Sequence, residues 1–195
     1  MMIKYNGTKE ARCAVEKRDE LWWSEPKEQT CIKIEDAPVS TCAFTGHRTV
    51  RPEHVELVAK RLSRAVEYVY SRGCRVFYCG GALGFDTLAA REVIRFATLH
   101  PDVSLRLVLP CVNQDERWND RQREAYYYVL RNAECVEYVS EEYTKDCMKR
   151  RNMRLAELGD VLVAYLYRDG SGSSQTVRMA KRLGKEVYNL SPELK

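Results

Sequence analysis

Two glycine-bearing stretches, each opening into a helical pattern, hold the residues of this chain best suited to chemistry. The first is Gly80-Gly81-Ala82-Leu83-Gly84-Phe85-Asp86-Thr87, which follows an apolar run and carries an acid and a hydroxyl in its first helical turn. The second, Asp169-Gly170-Ser171-Gly172-Ser173-Ser174-Gln175-Thr176, is rich in hydroxyls. Glycine lets a backbone turn tightly and lets a bulky group come close to peptide N–H groups. The helix that follows presents N–H groups without acceptors and the positive end of its dipole, a natural seat for phosphate. One such turn is an ordinary structural device. Two at strand ends of a single sheet predict a shared crevice for an anion or a ribose. A side chain placed at Gly81 is expected to block a ligand there while leaving strand and helix intact.

Other residues cluster with these turns. Thr45-Gly46-His47-Arg48 follows another apolar run, and the Arg48 guanidinium suits a forked hydrogen bond to phosphate. His47 reads either as a ligand donor or as a cap on a neighbouring backbone group. Asp86 has the same duality, because capping a helix N-terminus is worth ~1 kcal/mol. As a carboxylate it repels phosphate, so in a functional role it meets a ribose hydroxyl or an amino group, with Thr87 beside it. Pro110 ends a third apolar run and leads to Asn113, Gln114 and Trp118, the last expected one turn into a helix that starts at Asp115-Glu116. Ser140 and Tyr143 follow a fourth run. Trp118 and Tyr165 are the aromatic candidates for stacking a base. Between the two glycine stretches, Met148, Arg151, Asn152, Leu155 and Leu158 share one helical face. Arg151 and Asn152 therefore interrupt an apolar stripe, where polar groups are costly unless partnered. Arg150 and Arg154 read as a solvated basic face. The expected ligand-binding set is Gly46, His47, Arg48, Gly80, Gly81, Ala82, Gly84, Asp86, Thr87, Pro110, Trp118, Arg151, Asn152, Tyr165, Gly170, Ser171, Gly172, Ser173, Ser174 and Thr176. Asp86 and Arg151 are its catalytic candidates.

The elements that must position these residues alternate. Apolar strand runs are expected at 41–45, 75–79, 104–109, 134–139, 161–166 and 186–190. Helical periodicity fills the intervals: from Pro52 to Gly73, over 84–99, from Asp115 onward, over 145–158, and from Gly172 to about Leu183. The 161–166 run is almost wholly apolar, as in a strand covered on both faces. Strict alternation predicts an α/β fold, a doubly wound and mostly parallel sheet flanked by helices. In such sheets ligands bind beyond the carboxyl ends of the strands, where strand order reverses. Residues 1–39 differ. They are charged, carry a Trp22-Trp23 pair, and offer one short alternation at 31–35, so an N-terminal arm, partly ordered or forming a small β element, is expected ahead of a domain over 40–195.

Bulk properties narrow the function. The 195 residues are 45% hydrophobic and 31% charged with a net charge of +4, a soluble globular composition too weakly basic to argue for duplex DNA. No run approaches membrane-spanning length and the N-terminus has no signal-peptide pattern, so a cytoplasmic protein without membrane contact is expected. The eight cysteines are scattered without a C-x-x-C pair and read as reduced, mostly buried thiols. Cys13 and Cys31 lack partner ligands, and neither a metal nor a cofactor is expected.

Taken together, the stretches Cys42–Arg48, Gly80–Ala90, Pro110 to Trp118-Asn119, Cys147–Asn152 and Thr176–Ala180 resemble the YpsA-like branch of the SLOG superfamily, over about 41–190. The resemblance implies a Rossmann-like fold that binds nucleotides or molecules derived from them. Its better understood relatives include LOG-type phosphoribohydrolases, DprA-type DNA-protecting proteins and nucleotide-sensing SLOG domains. Arg151 matches the arginine that LOG-type enzymes use before the second glycine loop. Thr176, however, stands where those enzymes carry a glutamate, and a threonine hydroxyl cannot act as an ionised carboxylate; losing such a group commonly costs a factor of ~10² to 10⁴. Asp86 is the nearby acid that could substitute. Ser171 also replaces a glycine usual in the branch.

The expected function is therefore binding, for sensing or sequestration, of a nucleotide-derived ligand of the ADP-ribose-like or cyclic-nucleotide kind. Alternatives are an N-glycosidic-bond hydrolase and a DprA-like binder of single-stranded nucleic acid; the latter lacks a basic stripe with interleaved aromatics. Self-association into a homo-oligomer is implied by the SLOG relatives.

Overall fold

A computed structural model of the chain describes Met2–Ile3 and residues 39–193. The Trp22-Trp23 pair, the alternation at 31–35, and Cys13 and Cys31 lie outside the described residues. The elements are β1 (Met2–Ile3), β2 (Thr41–Gly46), a 3-10 turn (Pro52–His54) leading into α1 (Val55–Ser71), β3 (Val76–Cys79), α2 (Phe85–Ala97), β4 (Ser104–Leu109), α3 (Asp120–Asn132), β5 (Cys135–Tyr138), α4 (Cys147–Leu158), β6 (Val161–Tyr165), α5 (Gly172–Arg182) and β7 (Glu186–Asn189). They form one sheet of order β1-β5-β4-β3-β2-β6-β7. β2 to β7 run parallel, and β1 adds antiparallel to β5 at the edge.

β2 is hydrogen-bonded to both β3 and β6. The chain therefore winds outward from β2 to β5, then returns to the other side of β2. The order reverses between β2 and β6. Their register, Cys42 opposite Val161 through Gly46 opposite Tyr165, releases the following loops side by side at the carboxyl edge.

Strand alternation divides the core. Cys42 and Phe44 face a layer made by α1, α2 and α3, where Val58, Leu62, Phe85, Ala89, Val93 and Val129 are buried. Ala43 points to the other face, where Leu155 and Ala156 of α4 and Ala180 of α5 pack with Tyr78, Val108 and Leu162. β6 is buried at every residue, because helices cover both of its faces. The chain is thus a Rossmann-like, doubly wound α/β fold.

Most elements lie within about two residues of the sequence expectation, but α3 does not. Residues 112–117 are turns, and the helix begins at Asp120. Asn119 decides this with a capping box: Gln122 N donates to Asn119 Oδ1 at 2.9 Å, and Asn119 N donates to Gln122 Oε1 at 3.0 Å. The box satisfies two otherwise orphaned groups. Trp118 therefore lies in the loop ahead of the helix rather than within it.

Cys42, Cys74, Cys79, Cys111 and Cys147 are buried, with no disulfide partner among the described residues. Burial pushes the Cys74 thiol up to about 12, which keeps it protonated and unreactive. Among the described residues, no helix is long and apolar enough to cross a membrane.

Candidate functional site

The turn after β6 is open. Gly170 takes a φ of 81°, and a Cβ there would meet nothing within 4 Å among the described residues. Ser171 caps α5 reciprocally with Ser174: Ser174 N donates to Ser171 Oγ at 3.1 Å, and Ser171 N donates to Ser174 Oγ at 3.0 Å. This fixes the first turn while leaving the N–H groups of Gly172 and Ser173 without intrahelical acceptors. The Ser173 hydroxyl donates to the Gly46 carbonyl at 2.6 Å, tying α5 to the end of β2. Asn152 Nδ2 donates to the Gly172 carbonyl at 3.3 Å.

The turn after β3 is closed on the protein itself. Arg151 Nη1 donates to the Gly80 carbonyl at 2.6 Å and lies 3.3 Å from Asp86 Oδ2. That carboxylate oxygen also accepts from Ala82 N at 3.2 Å. The Thr87 hydroxyl donates to the Ala82 carbonyl at 3.0 Å, and Phe85 N donates to the His47 carbonyl at 3.1 Å. A carboxylate of the chain thus occupies part of the seat that an anion would take. Burial raises the pKa of Asp86, while Arg151, the Ala82 N–H and Arg48 pull it back.

The glycines of this turn admit protein groups. A Cβ on Gly80 would lie 1.7 Å from Arg151 Nη1, one on Gly84 2.2 Å from the Arg48 carbonyl oxygen, and one on Gly81 2.5 Å from Leu109 Cδ2. The expectation for Gly81 is therefore corrected. With a φ of 62° and Leu109 against it, a side chain there disturbs packing and backbone first.

Between the turns lies a cavity of about 330 Å³. Gly46, His47, Arg48, Ala82, Asp86, Arg151, Asn152, Ser171, Gly172 and Ser173 line it, together with Thr45, Thr49, Met148, Tyr167 and Arg168. Both turns therefore contribute to one crevice at the strand-order reversal. His47 is buried, packs its ring 4.2 Å from that of Tyr167, and has no partner for Nε2 among the described residues. Burial lowers its pKa, and the charges of Arg168 and Arg51 act in the same direction against a backbone hydrogen bond at Arg168. A neutral imidazole therefore faces a space ringed by Arg48, Arg151 and Arg168. Arg151 Nε is likewise buried without a partner among the described residues.

A second cavity, of about 360 Å³, shares Arg48, Ala82, Met148 and Arg151 with the first and reaches Trp118. The remaining expected residues line neither cavity. Gly80, Gly81, Gly84 and Thr87 shape the closed turn, Pro110 is buried, and Gly170 and Ser174 shape the open one. Tyr165 is a core residue: its ring stacks on Phe85 at 5.8 Å, and its hydroxyl meets His54 Nδ1 at 2.8 Å. Thr176 is wholly buried, with its hydroxyl donated to the Gly172 carbonyl at 3.1 Å. The expected set missed Thr45, Thr49 and Met148, and also half-buried Tyr167 and exposed Arg168, which follow shortly after β6. The strand-end rule reaches the last two once the strand is ended at Tyr165.

The YpsA family model, described as the YspA SLOG family, matches residues 43–190. The chain belongs to this family. It is 26% identical over 137 residues to a UPF0398 protein of Bacillus thuringiensis (strain Al Hakam), covering 69% of this chain and 74% of that one. A UPF0398 protein of Bacillus cereus (strain B4264) is 28% identical over 138 residues, with the same coverage. Among solved structures, DNA processing protein A of Helicobacter pylori, described for its single-stranded DNA binding mode, superposes with a TM-score of 0.58 at 21% identity, over 80% of this chain and 67% of that one. DNA processing protein A of Streptococcus pneumoniae gives 0.58 at 20%, over 80% and 51%. At these identities the structural likeness shows the shared fold. The family match takes in β6, α5 and both glycine turns.

Proposed function

We propose that the crevice binds a phosphate-bearing, nucleotide-derived small molecule, of the ADP-ribose-like or cyclic-nucleotide kind, to sense or sequester it. One observation carries this reading: the free first turn of α5 opens onto a 330 Å³ cavity that also receives Arg48, Arg151 and Arg168. Backbone N–H groups at a helix N-terminus attract phosphate, and guanidinium groups add charge-assisted hydrogen bonds. The unpartnered Nε2 of the neutral His47 can accept from a sugar hydroxyl.

Binding is favoured over turnover by the state of the two groups that a hydrolase would need. Thr176 carries no charge and is buried in α5. Asp86 lies at the cavity, but the Ala82 N–H and Arg151 already engage its Oδ2. Its position keeps hydrolysis of an N-glycosidic bond as the second reading.

Calorimetric titration with ADP-ribose and AMP tests the first reading, with Arg168→Ala as the control for the site. Arg168 is exposed, so its removal should leave stability unchanged and weaken binding about tenfold. Absence of binding by any nucleotide or phosphosugar overturns the proposal. Release of free base from nucleoside monophosphates, lost in Asp86→Asn, would establish the hydrolase instead. Native mass spectrometry of the purified protein checks two further parts of the proposal, a co-purified nucleotide and a homo-oligomer; fractionation of cells checks the cytoplasmic setting.

A further inference from the structure

We infer that the second cavity seats a planar heteroaromatic ring, a nucleobase, belonging to the same ligand whose phosphate meets α5, so that the ligand is a two-ended nucleoside diphosphate derivative. The inference rests on the phosphate-binding reading of the first cavity. It starts from the shared wall. Met148 and Arg151 are one helical turn apart on α4 and line both cavities, as residues spaced i, i+3 on one face can. Arg48 and Ala82 close the same wall from the loops after β2 and β3. A molecule that occupies both cavities must pass this waist.

The waist asks for an anion. Arg151 commits Nη1 to Gly80 and Asp86, yet its Nε is buried with no acceptor among the described residues. A buried N–H donor left unpaired is costly, and such exceptions call for an explanation. Arg48 stands exposed at the same place. With Arg168 and the free N–H groups of α5 on the first-cavity side, there are two separate stations for negative charge. A diphosphate spans two stations where a single phosphate fills one.

Beyond the waist the lining changes character. Trp118 is half-buried and anchored edge-on against Tyr126, with ring centroids 5.3 Å apart. Tyr143 lines the same cavity and is 63% exposed. The carboxamides of Asn113 and Gln114, with the charged side chains of Glu116 and Arg117, complete the wall; Gln114 Nε2 donates to the Gly81 carbonyl at 3.3 Å, fixing this loop to the closed turn. Aromatic faces beside carboxamides are the means by which proteins stack a base and read its edge. On the other side of the waist, Thr45, Asn152 and the unpartnered His47 Nε2 suit the hydroxyls of a sugar.

The test uses the full chain carrying Trp22→Phe and Trp23→Phe. Trp118 is then its one tryptophan, since the sequence has three. ADP-ribose and UDP-glucose serve as two-ended probes, and ribose 5-phosphate and inorganic phosphate as one-ended probes. The expected result is quenching of Trp118 fluorescence by at least one two-ended probe, which also binds at least about tenfold more tightly than ribose 5-phosphate. Tyr143→Ala, at an exposed position, should weaken that probe several-fold and leave ribose 5-phosphate unchanged. Equal affinity for one-ended and two-ended probes, or equal weakening of both by Tyr143→Ala, overturns the inference while leaving the phosphate-binding reading standing. If no probe binds, both fall together.

Discussion

At the turn after β3, a Cβ on Gly80, Gly81 or Gly84 would lie 1.7, 2.5 or 2.2 Å from Arg151, Leu109 or the Arg48 carbonyl. At the turn after β6, among the described residues, a Cβ on Gly170 would have nothing within 4 Å, and one on Gly172 would meet only the Asn152 amide, at 3.3 Å. Two glycine-bearing stretches thus solve different problems. In the first, small residues let an arginine, a carboxylate and a neighbouring loop converge, and the resulting network braces the floor of the crevice. In the second, the capping serines fix the helix end and leave its N–H groups facing the cavity. A glycine turn shows that something approaches the backbone; it does not show whether that something is ligand or protein.

The sharpest way to break this comparison is Arg151→Ala. It strands Asp86 as a buried carboxylate, and breaking such a pair costs about 3–5 kcal/mol. Urea denaturation measures the loss, and a stability change near zero would mean that the closed turn does not depend on the pair. Next is Gly84→Ala, where a positive φ of 78° and the Arg48 carbonyl at 2.2 Å both oppose a side chain. A loss of about 2–3 kcal/mol is expected. Gly172→Ala should behave oppositely, changing stability by less than about 0.5 kcal/mol and lowering affinity for ADP-ribose roughly tenfold by narrowing access to the α5 N–H groups. If Gly84→Ala and Gly172→Ala gave the same pattern, the distinction between the turns would fail.

The smallest expected effect is a pH dependence from His47. Its pKa is lowered in the fold from an ordinary value of 6.5, so below that value the unfolded chain binds more protons than the native one. Stability should therefore rise with pH through this range. The contribution is complete above 6.5, shrinks as pH falls toward the native-state pKa, and levels off below it. Denaturation midpoints across this range measure it, and His47→Gln should flatten the slope. A His47-dependent slope of opposite sign would contradict the lowering by burial and by the charges of Arg168 and Arg51.

Much of the crevice was legible in the chain. His47 and Arg48, Ala82 and Asp86, Arg151 and Asn152, and Ser171 to Ser173 were marked by type and spacing, and all line the first cavity. Tyr165 was misread because the end of a strand is ambiguous by one or two residues, and period-2 alternation reverses the face with each step. The late start of α3 escaped because 112–117 carry helix-compatible residues, and the Asn119 capping box outweighed them. Thr87 and Gly81 were assigned to a ligand because a sequence does not reveal how close the Ala82 carbonyl or Leu109 will come.

The order of apolar runs and helical periodicities determined the doubly wound sheet, because each pattern can bury its apolar face in only one kind of element. The glycines determined where the backbone turns sharply. Tertiary structure decided what fills each turn. Arg151 is 65 residues from Asp86 and 71 from Gly80 along the chain, and only the packing of α4 beside the loop after β3 brings the three together. That packing closes one turn, leaves the other free, and sets Arg151 in the wall shared by two cavities.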